Sequence, residues 1–238
     1  MKKILTIVIL ASAVSMTSFS DAVSLNWKEF AGGINDVIDP YGVETASNWQ
    51  NYQKITSDTD IILSSGAVST VDFTTTAPAG FDTFFGGGPL DNTPMRAGIA
   101  TFSSATGPDL TLSDLNGTFA TYDVIVYVGG FNGAAGGNQA AVSDGTATKY
   151  VQIPNPFTGA LVESTDTDIG DGADVGSYVR FDGLTADSVT ISLRSPNNTG
   201  VAIGGVQIVG DVIPEPATLG MFAVSGAAVL FIRRRRRG

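Results

Sequence analysis

From Val23 to Asp211 no long stretch of the chain keeps a helical period; short apolar or alternating runs recur instead between clusters of Gly, Asp, Asn, Pro and Ser. Ser188 to Ser195 alternates, with Val189, Ile191 and Leu193 on one side and Thr190, Ser192 and Arg194 on the other. That two-residue period suits a half-buried strand. Tyr122 to Val128 is apolar at nearly every position, as expected of a central strand covered on both faces. Gln139–Ser143 and Thr146–Ile153 flank Asp144-Gly145, a two-residue hairpin signal. Further predicted strands are Ser24–Phe30, Asp60–Ser64, Val68–Thr75, Gly98–Phe102, Asp109–Leu112, Ser177–Phe181 and Val201–Val209. About ten strands predict an all-β fold, a single two-sheet sandwich of jelly-roll type over residues 23–211.

The flanking segments are predicted to be addresses, not parts of that domain. Lys2 and Lys3 precede the apolar run Ile4 to Ala11, and small and polar residues then lead to Ser20-Asp21-Ala22. This is the pattern of a signal peptide over residues 1–22, cleaved after Ala22; an uncleaved anchor or a buried helix is the alternative. The Sec translocase and signal peptidase are the partners it implies in transit.

At the other end, residues 212–238 hold Pro214-Glu215-Pro216, an uncharged segment from Ala217 to Ile232, and Arg233, Arg234, Arg235, Arg236 and Arg237. The prolines suit an extended spacer, since neither fits a helix interior or a central strand. Sixteen helical residues reach ~24 Å, slightly short of a ~30 Å bilayer core. The arginines would stay on the cytoplasmic side and place the domain outside, so the physics alone reads as a tail anchor.

This order of Pro-Glu-Pro, short apolar helix and Arg cluster closely resembles the PEP-CTERM sorting signal of Gram-negative bacteria that make exopolysaccharide. The segment is also called the ice-binding protein C-terminal domain, a name that implies no ice binding. The resemblance implies a transmembrane sorting helix, transient inner-membrane anchoring, processing by an exosortase, and a mature protein at the cell surface or outside the cell. Landmarks inside the domain resemble galactose-binding-like and malectin-like jelly rolls, many of which bind glycans. They are Gly42-Val43, Asn48-Trp49-Gln50-Asn51, Tyr122-Asp123-Val124, Tyr178-Val179-Arg180-Phe181 and Ile203 to Val209.

Composition narrows the chemistry. The chain has neither Cys nor His, which removes thiol nucleophiles, Ser-His-Asp catalysis and ordinary zinc centres. Residues 23–216 contain six Lys/Arg against 22 Asp/Glu, a formal −16, which repels nucleic acid and anionic membranes. Asp166, Asp168, Asp171 and Asp174 form the densest carboxylate cluster, read either as a calcium loop or as a solvated acidic loop. Its spacing departs from the twelve-residue EF-hand pattern. Asn48, Trp49 and Asn51 combine an aromatic plate with amides suited to a sugar, although a Trp in a sandwich also serves as core. Tyr127, with Phe131 and the Gly-rich loop after it, is a second candidate.

The expectation is an exported, noncatalytic surface or matrix protein associated with exopolysaccharide, with no certain cofactor beyond calcium as a candidate. The alternatives are a structural or adhesive protein with protein partners, and a glycoside-active enzyme working through paired carboxylates.

Overall fold

A computed structural model describes residues 19–28, 36–37, 40–53, 55–76, 93, 97–130, 137–154 and 160–213. In chain order its strands are β1 (Phe19–Lys28), β2 (Gln50–Gln53), β3 (Ser57–Asp58), β4 (Asp72–Thr75), β5 (Ile99–Thr101) and β6 (Asp109–Ser113). Then follow β7 (Phe119–Gly130), β8 (Asn138–Ser143), β9 (Thr148–Ile153), β10 (Tyr178–Leu184), β11 (Val189–Arg194) and β12 (Val201–Val212). Among the described residues they form two sheets of six. The first runs β10-β7-β12-β1-β2, with β5 also on β12; the second runs β3-β4-β6-β11-β8-β9.

The pattern of burial follows from the layers. In the second sheet β6, β8 and β11 alternate, sending Leu110, Leu112, Ala140, Val142, Ile191 and Leu193 into the core. In the first sheet β7 is buried at every position from Val124 to Gly130, and β12 from Val201 to Ile208. These strands lie between neighbours and are covered on both faces, which their continuous apolar runs require. Trp27 of β1 meets Phe73 of β4 edge-on, with ring centroids 5.6 Å apart, and Tyr52 of β2 packs on the same ring at 4.9 Å. Each such buried aromatic contributes about 1.5–3 kcal/mol through removal of apolar surface from water.

Three local expectations change. The Asp144-Gly145 hairpin joins Ser143 to Thr148 through four residues, not two. Asp144 Oδ1 accepts from the amides of Thr146 (2.8 Å) and Ala147 (2.7 Å), so this side chain organises a wider turn, with Gly145 at φ +88°. Asp60–Ser64 makes bridges only, Leu63 to Val23 and Ile62 to Val68, because the chain folds back on itself at Gly66. Gln50–Gln53 becomes a strand parallel to β1, held by that neighbour in spite of its polar sequence.

The two ends of the described domain lie side by side. β1 and β12 are antiparallel neighbours, with Phe19 opposite Val212 and Asn26 opposite Gly205. Ile213 donates its amide to Thr118 O at 2.8 Å, so the hydrogen-bonded backbone includes the residue before Pro214. The segment 1–18 and the sorting residues Pro214, Glu215, Pro216 and Arg233 to Arg237 lie outside the described residues.

Candidate functional site

The first sheet has an outer face, turned away from the second sheet, that is unusually polar for buried surface. The register puts Ser24 opposite Gln207, and Gln207 opposite Ile125; Tyr127 stands opposite Tyr178, and Arg180 opposite Ile125. With Asn26 and Asn51 from β1 and β2, these residues make a layer of amides, hydroxyls and one guanidinium. Residues 40–49 fold over it.

The cover is fixed by buried hydrogen bonds. Tyr127 donates its hydroxyl proton to Gln207 Oε1 and accepts from the Val43 amide at 2.7 Å. Gln207 Nε2 donates to Glu44 O at 2.8 Å and to Ser24 Oγ at 3.2 Å. Burial pushes the Tyr127 hydroxyl pKa well above its ordinary value, since an anion there would lose its water. Gly42 lies where the cover comes closest: its φ is +114°, and a Cβ would stand 2.3 Å from Gln207 Oε1. No larger residue fits without displacing that amide.

Beside this layer opens a cleft of about 270 Å³ lined by Ser20, Glu44, Asp123, Arg180, Val209 and Asp211, among others. Arg180 is its centre. Its Nη2 and Nε both reach Asp123 Oδ2, its Nη1 lies 3.3 Å from Glu44 Oε1, and its Nε lies 2.8 Å from Asp182 Oδ1. The hydrogen bond to Asp123 raises the guanidinium pKa further, so the charge is permanent. Asp123 Oδ1 also accepts from the Gly183 amide at 2.7 Å. Asp211 is held in the β1–β12 ladder, and among the described residues its carboxylate makes no hydrogen bond or ion pair. The cleft thus offers one engaged cation, a surplus of carboxylate oxygens and little apolar surface. That chemistry accepts hydrogen bonds from hydroxyl groups and disfavours anions.

The residues expected to bind sugar lie elsewhere in this arrangement. Trp49 and Tyr127 do meet, with ring centroids 5.9 Å apart, but they are 7% and 0% exposed. Trp49 Nε1 donates to Tyr41 O at 3.0 Å. Asn51 uses its amide on Asn26, Val37 and Trp49, and Asn48 donates to Leu63 O and Ser64 O. Trp49 and Tyr127 are buried between the cover and the sheet, Asn51 is half-buried, and Asn48 stays exposed on the cover beside Ser64. Phe131 lies outside the described residues.

The four aspartates expected to gather calcium do not converge: among the described residues no three acidic side chains are grouped to hold a metal ion. Asp166 accepts from the amides of Asp168 (2.8 Å) and Asp174 (3.2 Å), and Asp168 from Gly170 (2.8 Å), so these carboxylates shape their own loop. Ala22, the expected last residue of the signal peptide, lies in β1 opposite Val209 and is 6% exposed. The Arg180 cluster escaped the sequence reading. Its signal was present as Asp123 and Arg180, single charges inside otherwise apolar runs, but their meeting depends on the pairing of β7 with β10.

Residues 212–237 match the PEP-CTERM protein-sorting motif. This chain carries a surface-sorting signal. The PEP-CTERM motif marks an exported protein and implies processing by an exosortase. Its first residue, Val212, is also the last residue of β12, so the matched segment begins inside the last strand of the folded domain. Among the described residues no helix is long and apolar enough to cross a membrane; the apolar segment from Ala217 to Ile232 lies outside them. No curated protein and no solved structure matches the chain.

Proposed function

We propose that this is a noncatalytic surface or matrix protein, released or transferred by an exosortase, whose domain associates with exopolysaccharide through the Arg180 cleft. The PEP-CTERM motif carries the reading, because it ties the chain to export and surface sorting. Three further features support it. The strand order β1-β12-β7-β10 facing β6-β11-β8-β9 is the pattern expected of a jelly roll, a fold that hosts many glycan sites but does not itself assign one. The cleft is rich in acceptors and poor in apolar lining, which suits a hydroxyl-rich, uncharged sugar. Asp123 is tied to Arg180 and the Gly183 amide, a structural use of that carboxylate.

Co-sedimentation with the producer's own polysaccharide tests the reading, using the folded wild-type protein beside Arg180→Met and Asp211→Asn. Retention of the wild type and weakened retention of both variants is the expected result. A folded wild-type protein that stays in the supernatant refutes the association, and equal retention of all three refutes the cleft.

A further inference from the structure

We propose that the exported chain begins at Asp21, cut after Ser20, and that its new α-amino group is received at the acidic cleft beside Arg180. The proposal rests on the reading of the N-terminal segment as a signal peptide, and concerns where that peptide ends.

The sequence offers two cuts. Ser20 and Ala22 supply small residues for cleavage after Ala22; Ser18 and Ser20 supply them equally for cleavage after Ser20. The fold distinguishes the two. Ala22 stands opposite Val209, and its carbonyl accepts from the Ser64 amide at 2.7 Å. Asp21 stands opposite Gly210, and its Oδ1 accepts from the amides of Ala22 (2.8 Å) and Ser65 (3.2 Å). These two residues therefore bind β12 on one side and the turn at residues 63–66 on the other. A cut after Ala22 strips both from the domain. It leaves Val209 and Gly210 without neighbours on that edge and removes the acceptors of two amides. It also puts an ammonium on Val23, which is 0% exposed and lies between Ile208 and Leu63.

A cut after Ser20 keeps every one of those contacts. Ser20 is exposed, and its rung partner is Asp211, the carboxylate without a partner among the described residues. The cleft that Ser20 lines holds Glu44, Asp123 and Asp211 against Arg180, a surplus of two negative charges. An ammonium formed on Asp21 would enter the edge of this cleft, next to Asp211, where charge and solvent access both favour it.

The test uses the full chain, exported by its own signal, with intact mass and N-terminal sequencing of the product. The expected first residue is Asp21. Val23, or any other internal residue, as the first residue overturns the proposal while leaving the signal-peptide reading intact. A product that retains Met1 overturns both. Two variants read the cut before folding intervenes. Ser20→Leu spoils the −1 position of this cut and the −3 position of the other, so it is expected to accumulate precursor, whereas Ala22→Leu is expected to be processed at Asp21 as before. Accumulation of precursor by Ala22→Leu also overturns the proposal.

Discussion

Tyr127→Phe keeps a buried ring and deletes one oxygen, so it isolates what the hydrogen-bonded cover contributes. The lost hydroxyl leaves Gln207 Oε1 without its donor and the Val43 amide without its acceptor. Gln207 is 0% exposed, so its orphaned oxygen bears the full desolvation penalty of roughly 1–3 kcal/mol. Val43 lies in a partly exposed turn and can turn its amide toward water, which limits its share. The expected loss is about 2–3 kcal/mol, or roughly 4–12 °C in Tm for a domain of this size. Urea unfolding followed by tryptophan fluorescence measures it, and the Trp49 ring, 5.9 Å from Tyr127, reports the cover directly. A loss below ~0.5 kcal/mol, within the range of an ordinary surface substitution, would refute the claim that this network fastens residues 40–49 to the sheet.

Gly42→Ala is expected to destabilise by about 1–3 kcal/mol in the same assay, because its φ of +114° is strained for alanine and its Cβ meets Gln207. Stability should also fall with rising pH above about 10, where free tyrosines ionise. Tyr122, pushed up to about 12 by burial, and Tyr127, pushed higher, keep their protons in the fold when the unfolded chain has lost them. The unfolded state then binds fewer protons, giving a slope of up to ~3 kcal/mol per pH unit between about pH 10 and 12. Below pH 10 both tyrosines are protonated in either state and their contribution is fully present; a stability flat to pH 12 by urea titration would contradict these burials. The Tm in millimolar calcium is expected to equal that in chelator, since Asp166 and Asp168 already serve their own loop. A rise in calcium would support the metal reading instead.

The fold was legible to the extent that burial in one strand writes a pattern. Ser188–Ser195 and Tyr122–Val128 announced a half-covered strand and a doubly covered one, and both stand where those patterns require. Gln50–Gln53 carried no such pattern, because its strand exists through a parallel neighbour 25 positions away in sequence. Trp49 and Asn51 show a related limit: an aromatic beside amides has the same composition whether it faces a sugar or seals a sheet. Their contacts to Val37, Tyr41 and Tyr127 are made by the fold and are not written in the local sequence.

By itself the sequence determined the address and the class of the fold: a contiguous sorting motif, an acidic domain without Cys or His, and strands of period two. These properties are local or additive, so they need no knowledge of which segments meet. The tertiary structure alone decided that Arg180 joins Asp123 and Glu44 in a cleft, and that the four aspartates do not converge. It also decided that β1 carries its ladder past Ala22 to the neighbour of the sorting signal. Each of these depends on strand register, which is set by packing over the whole core.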